Sequence, residues 1–202
     1  MDSRVIAELV LQLGRLASGD GLVEGLTPAQ WSVLRYFARA NRFSRTPSAL
    51  AAFQGTTRGT ASQMIKNLGT EGYLTRLRSE ADGRSIRLEL TDKARAVLVN
   101  DIFEALARAA DALPPGVRGQ FASVLERLLC QVASERSKPR FGTCASCEHL
   151  KGDDRCPGGH AAYACGFASE PLPLEELDKL CLYFVPGKST AMKVAIAGAA
   201  SP

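Results

Sequence analysis

The amino-acid sequence predicts a mainly α-helical fold with one small β-hairpin, followed by a small module of different character that carries most of the cysteines. Three observations lead there. Apolar residues recur at the three-and-four spacing of a helix face through most of residues 1–137. A single stretch, Tyr73 to Leu90, instead reads as two strands around a turn. From Ser137 onward the helical pattern stops, and five of the six cysteines fall between Cys144 and Cys181.

Each element follows from its own residues. Val5 to Leu16 places Ile6, Leu9, Val10 and Leu13 on one face, an amphipathic helix. Thr27 followed by Pro28 is a cap and first-turn pair that opens a second helix to about Ala40, lined by Trp31, Leu34, Phe37 and Ala38. Thr46-Pro47 repeats the signal for a short third helix through Leu50 and Phe53, which stops at Gly55. Thr56 or Thr57 then caps a fourth helix in which Ala61, Met64, Ile65 and Leu68 form the apolar stripe. Its opposite face carries Arg58, Thr60, Ser62, Gln63, Lys66 and Asn67, all able to hydrogen-bond to base edges or phosphates.

Tyr73 to Arg78 and Ile86 to Leu90 are the strands, with Ile86, Leu88 and Leu90 inward, Arg87 and Glu89 outward, and residues 79–84 as the turn. Thr91 caps one long helix bearing Val97, Leu98, Ile102, Ala105 and Leu106. Pro114-Pro115-Gly116 separates it from a last helix with Phe121, Val124, Leu125, Leu128 and Val132. Lys138-Pro139-Arg140 breaks the pattern, which divides the chain into a helical domain (1–137), a cysteine-rich module (138–185) and an Ala-, Gly- and Ser-rich tail (186–202) with too little apolar bulk for a core.

A chain of 202 residues with 46% hydrophobic content buries a proper core and an appendage. It contains no apolar run of the roughly 18 residues a membrane span needs, and Asp2, Arg4, Glu8 and Arg15 interrupt the start where a secretory signal would be apolar. A cytoplasmic protein with no membrane association is expected. In that reducing compartment clustered cysteines point to metal binding or redox chemistry before disulfides. The net charge of +4, from 25 Lys and Arg against 21 Asp and Glu, says little by itself. Its arrangement says more, because Arg58, Lys66, Arg76, Arg78, Arg84 and Arg87 crowd into one short stretch.

Helix, short helix, turn, helix and hairpin is the order of a winged helix-turn-helix, whose later helix enters the major groove while the wing follows the backbone. In Leu50-Ala51-Ala52-Phe53, Thr57-Arg58-Gly59-Thr60-Ala61-Ser62, Leu68-Gly69-Thr70-Glu71-Gly72-Tyr73-Leu74, Asp82-Gly83-Arg84 and Leu90-Thr91-Asp92-Lys93-Ala94 the sequence resembles the MarR family over about residues 1–137. The resemblance implies a homodimer held by the first and last two helices, an inverted-repeat operator in double-stranded DNA, and repression relieved by a ligand or redox signal. It also implies that Arg84 at the wing tip enters the minor groove, oriented by Asp82. On the reading helix, Arg58 suits guanine, Thr60 a thymine methyl and Gln63 adenine, with Thr57 and Ser62 on the same surface. Lys66, Arg76 and Arg78 are expected on phosphates.

The module reads Cys144-Ala-Ser-Cys147, then Cys156, Cys165 and Cys181, with His149 and His160 interspersed. Two thiolates at CxxC spacing turn toward one ion or cluster, and further thiolates complete the site. A second such pair is missing, which tilts the reading from zinc toward an iron–sulfur cluster. The segments around Cys144, Cys147 and Cys181 resemble cysteine tails found on some MarR-like regulators; with that resemblance the expected ligands are Cys144, Cys147, Cys165 and Cys181, with Cys156 spare or exchangeable. A labile cluster, a structural zinc and a thiol switch remain the three alternatives, and His149 or His160 could ligate in a mixed site. Cys130 is expected as a buried apolar residue of the last helix.

No nucleophile–base pairing, phosphate-cradling loop or HExxH appears, so no enzyme is expected. A sequence-specific transcriptional regulator is the leading reading. The alternative is a metalloprotein or electron-transfer protein whose winged helix is a protein-interaction scaffold.

Overall fold

The computed structural model describes residues 2–18, 22–78, 86–153 and 162–187. Its helical part comprises α1 (Ser3–Ser18), α2 (Pro28–Arg39), α3 (Pro47–Gln54), α4 (Arg58–Thr70), the strands β1 (Leu74–Arg78) and β2 (Ile86–Leu90), then α5 (Asp92–Leu98), α6 (Phe103–Asp111) and α7 (Pro115–Glu135). The expected caps form. Thr27 accepts from the Gln30 N–H while the Gln30 side chain accepts from the Thr27 N–H at 2.9 Å, a reciprocal capping box. Thr46 and Thr57 accept from Ala49 and Thr60 at 3.2 and 3.1 Å. Gly55 closes α3 in the left-handed region at φ 65°, where a side chain would strain the backbone.

One core joins these elements: Trp31, Leu34 and Phe37 of α2, Leu50 of α3, Ala61, Ile65 and Leu68 of α4, and Leu88 and Leu90 of β2 are all buried. β1 and β2 pair antiparallel from Leu74 opposite Leu90 to Arg78 opposite Ile86. In contrast, α1, α6 and α7 bury no residue completely, and Ile6, Leu9, Leu13, Phe121, Val124 and Leu128 stand exposed.

The single long helix expected after Thr91 is two helices. α5 ends at Leu98 and α6 starts at Phe103, and Asp101 stands in the turn between them. Its buried carboxylate is clasped by the Arg35 guanidinium of α2, with Nε to Oδ2 at 2.7 Å, and accepts from the Phe103 N–H at 2.9 Å. A charge-assisted pair from a distant helix outweighs local periodicity here. Cys130 is half-buried on α7, not buried as expected, because that helix lies at the edge with its apolar face open.

The cysteine-rich part has its own small architecture. β3 (Gly142–Thr143) pairs with β7 (Leu180–Cys181), and β4 (Leu150–Asp153), β5 (Ala162–Cys165) and β6 (Glu170–Leu172) form an antiparallel sheet in that order. It is also docked. The Phe141 ring meets Phe53 edge-on at 5.0 Å, and Leu182 packs on the main core.

Candidate nucleic-acid interface and cysteine centre

The stripe Ala61, Ile65 and Leu68 pins α4 to the core, and that leaves Arg58, Thr60, Ser62, Gln63, Lys66 and Asn67 on its exposed side. Thr57 is spent on the cap: its Oγ1 accepts from the Thr60 N–H and lies 2.9 Å from the Thr60 hydroxyl. Gln63 donates to the Asn67 side chain at 2.8 Å, along the exposed face. Between α4 and β1 runs an open groove lined by Lys66, Thr70, Thr75 and Arg76, so one wall of the helix and one of the wing present a cation each. Arg84 and Asp82, together with the Arg78 side chain, lie outside the described residues, as do Cys156 and His160.

The four cysteines expected to act together are brought together. Cys144 and Cys147 come from the 3₁₀ turn Cys144–Ser146 and the residue after it, Cys165 from the end of β5, and Cys181 from β7. All four line one cavity, about 320 Å³ counting its open mouth, with Phe43, Leu150 and Leu172. All four are free thiols. His149 lines the same cavity, its ring 5.6 Å from Phe167, and Phe167 stacks on Tyr183 at 4.6 Å.

The sulfurs have donors aimed at them. The Asn41 amide donates to Cys144 Sγ and the Ala168 N–H to Cys165 Sγ, both at 3.5 Å. The Asn41 side chain, the Tyr183 N–H and the Ser44 hydroxyl approach Cys181 Sγ. Such donors favour thiolate over thiol. Burial opposes them and prevails in the thiol state: it pushes Cys144 up to about 11 and Cys181 above the ordinary cysteine value. Two buried thiols, Cys144 and Cys181, and two half-buried ones, Cys147 and Cys165, lining one cavity with donors to three of them, are a donor set whose chemistry suits a cationic group. Among the described residues no three His, Cys, Asp or Glu side chains are close enough to hold one ion.

Residues missed by sequence reasoning hold this centre to the rest of the chain. The turn between α2 and α3 supplies Asn41, Phe43 and Ser44 to the cysteine side, and Asn41 and Ser44 are fully buried polar residues. Lys179 donates to the Ala38 carbonyl at 3.0 Å, and Arg42 pairs with Glu170 at 3.3 Å. The only signal in the sequence was a polar quartet between two well-marked helices, which reads as an ordinary solvated loop.

Taken together, the architecture is that of a winged helix-turn-helix lobe carrying a cysteine-rich extension. Residues 24–85 match the model of the MarR family, and the match ends before the cysteine module begins. Solved structures share the fold. A DNA complex of S. aureus MepR superposes with a TM-score of 0.52 at 17% identity, covering 65% of this chain and 96% of that one. A MarR transcriptional regulator from Methanosarcina mazei Go1 gives 0.50 at 22% identity over 65% and 99%, and a MarR/EmrR family regulator from Acinetobacter sp. ADP1 gives 0.50 at 13% over 65% and 94%. No curated protein matches the sequence.

Proposed function

We propose that the protein is a sequence-specific DNA-binding transcriptional regulator, a homodimeric repressor of the MarR kind, whose hold on its operator depends on an iron–sulfur cluster bound by Cys144, Cys147, Cys165 and Cys181. The observation that carries this reading is the presence in one fold of an exposed hydrogen-bonding face on α4 and a cavity lined by four cysteines from three segments.

DNA is read by Arg58, Thr60, Ser62 and Gln63 in the major groove, with Thr57 holding the helix end, while Lys66, Arg76 and Arg78 meet phosphates and Arg84 enters the minor groove. The MepR structure with a similar fold is a complex with DNA, which supports this assignment. The exposed apolar faces of α1 and α7 support a homodimer, since each is too apolar to remain in water. Two copies of the reading helix then meet the two halves of an inverted repeat. A cytoplasmic location suits the reduced thiols, and among the described residues no helix is long and apolar enough to cross a membrane.

One CxxC pair joined by isolated cysteines, with no second pair, is what favours a cluster over a single zinc ion. When bound, such a group supplies redox and oxidant sensitivity. The chain's own part is to hold the four cysteines at one cavity, to donate hydrogen bonds to Cys144, Cys165 and Cys181, and to line the cavity with Phe167 and Tyr183. Cys156 stands by as an exchangeable thiol.

Protein purified without oxygen tests the reading through its iron, acid-labile sulfide and zinc content, its visible spectrum, and selection of a binding duplex from a random pool. Iron with equimolar sulfide and a selected inverted repeat are expected. Zinc without colour would replace the cluster by a structural ion; failure to select any duplex would overturn the regulator.

A further inference from the structure

We propose that the α2–α3 turn, Asn41 to Arg45, couples the cysteine centre to the wing, with Asn41 and Ser44 positioning the thiol ligands and Arg45 carrying their state to β2. This inference rests on the function proposed above.

The turn is bonded on both sides. Toward the centre, Asn41 has no solvent exposure; its amide donates to Cys144 Sγ, its backbone N–H donates to the Leu180 carbonyl at 2.8 Å, and its side-chain oxygen accepts from the Ser44 N–H at 3.0 Å. Ser44 Oγ accepts from the Leu182 N–H at 2.8 Å, next to Cys181. The Arg42 N–H donates to Glu176 at 3.1 Å, and the Phe43 ring lines the cavity. Toward the wing, the Arg45 carbonyl accepts from the Leu88 N–H at 2.9 Å. The Arg45 guanidinium bridges both Glu89 oxygens, at 2.6 and 2.7 Å, and the Ala40 carbonyl at 3.1 Å. Leu88 and Glu89 belong to β2, which pairs along its length with β1 and its Arg76.

Every residue of this turn is therefore fixed by the module, by the wing, or by both. A metal-bound thiolate would be a stronger acceptor for the Asn41 amide than the free thiol it meets at 3.5 Å. When Cys144 passes from bound thiolate to free thiol, that bond weakens at a residue with no solvent exposure, and the neighbouring Ser44 is held by the same side chain. Movement of Ser44 carries Arg45, and with it the bonds that set the base of β2. Coupling of the centre to DNA through this turn requires a second arrangement of it, favoured when the centre is empty. Coupling of this kind is reciprocal, so DNA must tighten the centre by the factor with which the centre tightens DNA.

The test measures the dissociation constant for the self-selected duplex at fixed salt, with the protein loaded with iron and sulfide and after stripping by a chelator. In the wild-type protein the two states are expected to differ by about tenfold or more. Glu89→Gln removes the ion pair from the wing side without touching the turn, and Arg45→Gln removes it from the other. Both variants are expected to keep full iron and sulfide content and the same spectrum, while the loaded-to-stripped ratio falls to within about twofold. Asn41→Asp keeps the acceptor for the Ser44 N–H but replaces the donor to sulfur by a carboxylate oxygen, and is expected to lower the reduction potential and speed iron loss. A Glu89→Gln protein with the wild-type ratio, or a wild-type ratio near one, overturns the coupling and leaves the proposed function standing; no bound iron or no selected duplex overturns both.

Discussion

Single buried groups in this protein decide more than their number suggests. The Tyr36 hydroxyl donates to the Ser44 carbonyl at 2.7 Å inside the core, and burial holds its phenol above the usual tyrosine value. Tyr36→Phe keeps the packing and leaves that carbonyl with the Thr46 N–H, at 2.8 Å, as its remaining donor, so a loss of about 0.5–1.5 kcal/mol is expected from urea unfolding. An unchanged midpoint would mean that the turn relaxes at no cost. Cys144 has a pH signature of its own in the metal-free protein. Its thiol moves from an ordinary value of 9.0 to about 11 on folding, because burial disfavours the thiolate. A raised value for an acid contributes stability that is complete below the unfolded-state value and is lost as pH rises through the folded one. The chelator-treated protein should therefore weaken between about pH 9 and 11, and Cys144→Ala should flatten that slope. That Cys144, Cys147, Cys165 and Cys181 belong to one cavity could be anticipated from the CxxC pair and a resemblance, whereas Asn41, the donor to Cys144, could not, since nothing local separates a buried asparagine from a solvated one.

At the scale of the element, α4 shows how one helix divides its labour. Three small or branched residues fix it to the core, and the rest of its surface is left for contact. The two kinds of polar residue on that surface should fail differently. Arg58→Ala is expected to cost about 1–3 kcal/mol of duplex affinity and to relax preference at one base position. Lys66→Ala should weaken all duplexes alike and lower the slope of log affinity against log salt by about 1. Equal loss of sequence preference in both variants, read by repeated selection, would contradict the division. The caps and the apolar stripe were legible because both are encoded within one or two turns. The break between α5 and α6 was not, because Asp101 answers to Arg35 of α2, far away in the sequence.

For the whole molecule, the unfinished surfaces of α1 and α7 matter most. Ile6, Leu9 and Leu13 on one helix and Phe121, Val124 and Leu128 on the other are each 40–51% exposed or close to it, an apolar area that water tolerates poorly. A homodimer should therefore form in solution, with light scattering giving twice the 21.6 kDa chain mass. Leu9→Lys combined with Leu128→Lys should return it to one chain and cost the duplex affinity that depends on two half-sites. A wild-type chain that runs as a monomer at micromolar concentration would remove that reading.

The sequence by itself determined the helices, their caps, the two wing strands and the thiol knuckle, since each is written in residues a few positions apart. Only the tertiary structure decided which distant pieces meet. It brought Cys165 and Cys181 to the Cys144–Cys147 knuckle, fastened the cysteine module to the α2–α3 turn, and let Arg35 interrupt a helix that periodicity would have continued. Buried hydrogen bonds and ion pairs between remote segments carry these choices. Their energies depend on how completely water is excluded when the pieces come together, and no local pattern records that.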